Sequence, residues 1–308
     1  MAIPRRRTQT NHRNPLRSNN KYFSQKNTEP GSLTIIRTPT WIILALLAGC
    51  QTLPPAGGYA ELGSAIQSPE WHYHLLSAND FSVPALISTG DGPLTVYIEG
   101  DGRAWLGRHR VAPDPTPDKP VALWLAQGDD GHRAWLARPC QYPAVSERQR
   151  QCQPRFWTSH RYGNEMLKTM DNAIEQLKAL SGADRLELVG YSGGGALAIL
   201  LAARRDDVTS VRTVAGNLDH QTFSRHHGVA PLRQSLNALE YAADTARIPQ
   251  IHFSGNQDNV VPAAIIESFI NALPEGHCAR HIRVDADHLH GWREQWPSLL
   301  AKPPLSGC

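Results

Sequence analysis

The chain has 308 residues, of which 41% are hydrophobic and 19% charged, enough for one large globular core or two small ones. Its formal charge of +3 is unevenly placed: residues 1–40 hold eight Lys/Arg against the single acid Glu29, leaving the rest at −4. A mildly acidic body excludes the basic footprint of a nucleic-acid-binding protein.

The basic leader runs into "TWIILALLAGC", whose apolar run 41–49 is too short for the roughly 20 residues that span a bilayer. Positive residues, a short apolar stretch and small residues before a cut site make a secretory signal. Its end, Leu47-Ala48-Gly49-Cys50, resembles a bacterial lipobox, which implies lipidation of Cys50 and attachment to the envelope membrane. Gln51 in the next position is similar to lipoproteins sorted to the outer membrane, facing the periplasm. A plain signal peptide, or an anchor helix with an incidental cysteine, is the simpler alternative. Residues 1–49 are therefore read as leader and signal, 50–69 as lipidated cysteine and flexible tether, and 70–308 as one domain. Export also suits Cys140, Cys152, Cys278 and Cys308, an even set that allows three disulfide pairings. Pairing Cys140 with Cys152 would close a short loop, and Cys278 with Cys308 would tie down the tail.

From residue 71 the pattern alternates strands and helices. Residues 71–77 and 81–87 predict a hairpin about the turn signal "AND". The apolar run 94–99 predicts a buried strand that ends in Glu99-Gly100-Asp101-Gly102, a glycine-rich loop whose amides can approach a ligand closely. A helix at 120–127 and a strand at 132–138 follow, then a long loop over 139–162. Met166, Leu167, Met170, Ala173, Ile174 and Leu177 recur at three and four, predicting an amphipathic helix over 164–180. A strand at 185–189 then meets Gly190-Tyr191-Ser192-Gly193-Gly194 and a helix at 194–205.

G-x-S-x-G arises by chance about 0.1 times in a chain of this composition, so its context matters more than its letters. A serine on a strained strand-to-helix turn tolerates no side chain two residues away on either side, and Gly190 and Gly194 remove both. Such a Ser192 can act as a nucleophile, with the Gly193 amide facing a developing oxyanion. A second amide is expected from the loop after the third strand, at Asp101 or Gly102, with Asp101 preferred; a plain Gly-Asp-Gly turn is the bland reading. Strands at 210–215, 249–254 and 281–285, with helices at 263–273 and 292–300, complete the pattern. Asp258 lies just beyond the strand at 249–254, where open α/β sheets build their sites, and is the expected acid. Asp285 and Asp287 are lesser candidates. The base follows the last strand as His288 or His290, and His288, four residues before Trp292, is preferred. No spacing points to a metal or another cofactor.

Together these residues resemble the α/β-hydrolase superfamily over about 71–300. "VYIEGDGRAW" (96–105), "LARPCQY" (136–142), "FWTSHRYG" (156–163) and "VAGNLDH" (214–220) are further similar to bacterial lipoproteins of that fold without a settled substrate. The resemblance implies an α/β single domain with a mostly parallel eight-stranded sheet and helices on both faces. It implies a serine hydrolase with Ser192, His288 and Asp258 as nucleophile, base and acid, cleaving a small acyl compound such as an ester. Peptidase or acyltransferase chemistry uses the same residues, and a non-catalytic envelope scaffold is the alternative of another class. Loop 139–162 and residues 217–219 either shape the pocket or are structural, and 217–245 leave room only for a small cap.

Overall fold

The computed structural model describes residues 57–107, 109–143, 151–303, 305 and 308. Cys50, the leader and the start of the tether lie outside the described residues. Part of the remaining tether is a correction: Gly58–Gln67 forms helix α1, with Leu62 and Ala65 buried in the core. The Gly58 amide donates to the Pro117 carbonyl, Tyr59 donates to Asp114, and Trp124 donates its indole N–H to Glu61. Two small apolar contacts and three distant polar partners hold this helix, none of which a local periodicity reveals.

Strands β1 (His72–Ala78) and β2 (Phe81–Ile87) form the expected hairpin, with Asn79 in the left-handed region that short turns require. They are followed by β3 (Leu94–Ile98), helix α2 (Val121–Gln127), β4 (Arg133–Leu136) and helix α3 (Asn164–Ser181). Then come β5 (Leu186–Tyr191), α4 (Gly193–Ala202), β6 (Val208–Val214), α5 (His220–His227) and α6 (Ala242–Thr245). The chain ends with β7 (Gln250–Gly255), α7 (Ala263–Ala272), β8 (Ala279–Val284) and α8 (Trp292–Leu300). The eight strands make one sheet in the order β1-β2-β4-β3-β5-β6-β7-β8. Pairing is antiparallel only where β2 meets β1 and β4, and parallel from β4 to β8.

Strands β3 and β4 are buried at every position, as parallel strands covered on both faces must be. Helix α3 packs beside α4 on one face, and α2 packs beside α8 on the other, where Trp296 meets Tyr97 and Phe253 edge-on. All ten residues of α4 are buried, so the alanine- and leucine-rich run after the glycines is a central helix, apolar all round. Helices α5 and α6 and the 3₁₀ turns Pro154–Trp157 and Ala238–Tyr241 add to the expected elements; three of the four span only four residues, too few for a periodicity, and α5 is largely polar. Of the three possible pairings, the structure forms Cys140–Cys152 and Cys278–Cys308. No helix among the described residues is long and apolar enough to cross a membrane.

Candidate active site

The carboxyl ends of β3, β5, β7 and β8 open onto one cavity of about 630 Å³, a volume that suits a small ligand. Ser192, His288, Asp101, Gly102, Arg161 and Asn217 all line it. A separate cleft of about 660 Å³ beyond α5, lined by His220, Ser224, Arg225 and Arg233, contains none of the expected site residues.

Ser192 joins β5 to α4 at φ 50° and ψ −118°, a backbone state that costs a non-glycine residue about 1–3 kcal/mol. The turn is pinned on both sides. The Ser192 amide donates to the Val214 carbonyl at 2.9 Å, and its own carbonyl accepts from the Gly195 and Asn217 amides at 3.0 Å each. A Cβ on Gly190 would sit 2.3 Å from the Gly194 carbonyl oxygen, and one on Gly194 would sit 2.3 Å from that of Ile98. Backbone cannot retreat as a flexible side chain can. Gly194→Ala is therefore expected to destabilise the protein by about 3 kcal/mol or more, read as a lower urea midpoint at unchanged slope.

Asp258, in the loop after β7, has a fully buried side chain. Its Oδ1 accepts the amides of Val260 and Val261 at 2.8 Å, and its Oδ2 lies 2.9 Å from His288 Nδ1. The His288 loop is fastened from two sides. Tyr191, the residue before the serine, donates its hydroxyl to the His288 carbonyl at 2.7 Å and lays its ring 5.3 Å from the imidazole. Trp292 donates its indole N–H to the carbonyls of Asp287 and His288. His290 faces elsewhere: its Nδ1 meets Asp287 and its Nε2 lies 2.7 Å from Lys119 Nζ, all in solvent. Asp285 accepts from Gln257 and reaches neither histidine. Ser192 Oγ and His288 share the cavity wall but form no hydrogen bond with one another.

The Gly193 amide opens α4 and so has no intrahelical acceptor. The Gly100 amide is engaged by Glu99 Oε1 at 3.0 Å, whereas that of Asp101 donates to no group among the described residues. The side chain of Asp101 has a role the sequence did not suggest. Its carboxylate bonds Arg138 at 3.0 Å, Arg161 at 2.8 Å and the Tyr162 hydroxyl at 2.8 Å, and it occupies the place of a Gly193 Cβ. Burial opposes the charge of Asp101, but the two guanidinium groups and the phenol outweigh it and hold the carboxyl below its ordinary range. Arg161 lines the cavity, so the long loop does contribute to the pocket. Asn217 lines it too, whereas Asp219 caps α5 by accepting the Gln221 and Thr222 amides.

Glu99 stands fully buried at the end of β3, accepting the Gly100 amide and the Trp135 indole N–H. Burial pushes its carboxyl up to about 7, against the pull of those donors. An acid raised from an ordinary 4.5 contributes stability that is complete below pH 4.5 and lost as pH rises through about 7. The loss should approach about 3 kcal/mol between pH 4.5 and 8. Burial lowers His252, His220 and His281, which gain stability over part of the same range. The Glu99 loss is therefore read as the change between pH 4.5 and 8 in the difference between wild type and Glu99→Gln on urea unfolding. No cluster of three or more metal-ligating side chains occurs among the described residues.

Residues 138–300 match the family model of the dienelactone hydrolase family. A comparison with curated protein sequences gives no match. Among solved structures, the chain is similar to an esterase of Pyrococcus furiosus at 12% identity and a TM-score of 0.53, covering 75% of this chain and 88% of that one. It is similar to an α/β serine hydrolase homologue of Coxiella burnetii at 16% identity and 0.52, covering 75% and 97%. It is also similar to an acylaminoacyl peptidase of Pyrococcus horikoshii at 13% identity and 0.55, covering 78% and 42%. At such identities these structures speak for the fold, which is the α/β-hydrolase fold. With more than half of its length matched by the family model, this chain belongs to the dienelactone hydrolase family and is a hydrolase.

Proposed function

We propose that the protein is a serine hydrolase that cleaves an ester or related acyl bond through an acyl-enzyme intermediate. One observation carries the reading: Ser192 holds a strained backbone between two obligatory glycines, on the cavity that also receives the Asp258-bound imidazole of His288. The Asp258 carboxylate accepts a hydrogen bond from the Nδ1–H of His288 and leaves Nε2 as the basic nitrogen. His288 then takes the Ser192 hydroxyl proton as Oγ attacks the substrate carbonyl carbon. The tetrahedral oxygen accepts the amides of Gly193 and Asp101. Collapse breaks the bond to the leaving group, which departs with the proton from His288. Water repeats the sequence on the acyl-serine, returning free acid and Ser192. The Ser192–His288 contact is one that unliganded sites often leave open and substrate closes.

A fluorophosphonate probe should label the wild type and leave Ser192→Ala unlabelled. A correctly folded wild type that takes no label would falsify the proposal. We further propose that Cys50 carries the lipid that anchors the domain to the envelope membrane. Mass spectrometry of the mature protein should find a diacylglyceryl-modified, acylated cysteine at its N-terminus; an unmodified terminus elsewhere ends that part.

A further inference from the structure

Three of the loops that bring site residues to the cavity, those after β3, β7 and β8, also carry a large, solvent-exposed apolar side chain that lines it. Trp105 follows Asp101 by four residues and is 44% exposed, Val260 follows Asp258 by two and is 44% exposed, and Leu289 follows His288 directly and is 38% exposed. All three line the same cavity, with Phe223 of α5 beside them. Single exposed apolar residues are ordinary on any surface. Only nine large ones are exposed among the described residues, however, and three of them converge here from loops after three different strands. Trp105 is held in place by a bridge to Val111, with the Ala112 amide donating to the Ala104 carbonyl at 3.0 Å.

Each cation at this mouth has a polar neighbour. Arg103 pairs with Asp118, Arg161 with Asp101, and Lys119 contacts His290. Beside these charged groups and Asn217, the apolar rim is the part of the mouth from which a hydrocarbon chain displaces water. We infer that the substrate is an ester of a fatty acid, its extended hydrocarbon chain lying along Trp105, Val260 and Leu289 while its carbonyl meets Ser192. This rests on the reaction proposed above and adds the class of acyl group. The driving force is removal of the chain's methylenes from water by half-exposed aromatic and aliphatic groups.

The test uses p-nitrophenyl esters from acetyl to octanoyl, kept below their solubility limits so that leaving group and phase stay constant. Partial burial on an open rim should raise kcat/KM by about twofold per methylene, an octanoyl-to-acetyl ratio of about 60. Trp105→Ser combined with Leu289→Ser should lower that ratio by about tenfold or more. Leu180→Ser, at an exposed site on α3 remote from the cavity, should keep the wild-type ratio. If the double variant fails to fold, Val260→Ser and the wild-type series decide the matter. A wild-type ratio near unity, or one unchanged in a folded double variant, overturns the inference while acetyl-ester turnover leaves the reaction standing. No turnover of any ester, together with no fluorophosphonate label on Ser192, overturns the reaction and the inference with it.

Discussion

His288→Ala should lower kcat/KM on an acetyl ester by about 10⁶-fold, whereas His290→Ala should leave it within about twofold. The two imidazoles are two residues apart and sit in opposite environments. His288 places Nδ1 2.9 Å from a carboxylate oxygen that water cannot reach, in a loop held by Tyr191 and Trp292. His290 pairs in solvent with Asp287, where the high dielectric leaves the contact weak, and neither group reaches the Ser192 side of the cavity. Asp258→Asn should cost less, about 10⁴-fold, because it misplaces a proton on the imidazole without removing the base. Steady-state hydrolysis of p-nitrophenyl acetate, with circular dichroism to show that each variant is folded, reads all three. A loss confined to His290 would transfer the base to His290 and leave the Asp258–His288 contact a structural tie; equal losses at both would overturn the prediction that His290 is dispensable.

Much of this arrangement was legible because the chemistry is written in local runs. The elbow needs glycines at fixed offsets from Ser192, and those offsets survive in the sequence whatever the fold does around them. Asp258 and His288 could be placed because each lies a few residues beyond the end of a strand. The choice of His288 over His290 rested on resemblance, since spacing alone cannot tell which ring turns inward. What stayed hidden depends on partners far along the chain. Asp101 reads as one residue of a glycine turn, yet its carboxylate meets groups 37, 60 and 61 residues away. Helix α1 reads as tether because only Leu62 and Ala65 of its last turns are buried among the core's apolar groups. Helix α5 carries three histidines and an arginine in eight residues, so its weak propensity gave no signal; an aspartate cap and the Asn237 side chain hold its first turn.

Asp101→Asn should destabilise the protein by about 3–5 kcal/mol, because two guanidinium groups would stay buried without their counter-charge. The carboxylate is 16% exposed and its partners Arg138 and Arg161 are 6% and 13% exposed, so little solvent screening softens the loss. For a domain of this size the thermal midpoint should fall by about 10 °C. The pH dependence identifies the cause. A carboxyl held below its ordinary value of 3.8 contributes stability above that pH and surrenders it as pH falls through the lower folded value. Wild type should therefore lose this component only in strong acid, and the gap between wild type and Asp101→Asn should narrow there. Activity should fall with it. Asp101 Oδ1 occupies the space a Gly193 side chain would need, so its carboxylate braces the two amides proposed to hold the oxyanion. Loosening that brace should reduce kcat by about 10–100-fold, less than the 10²–10³ of deleting a donor outright, because both amides remain in the chain. A loss in kcat with KM nearly constant would mark an effect on the transition state. A loss carried by KM alone would reduce the cluster to a pocket wall.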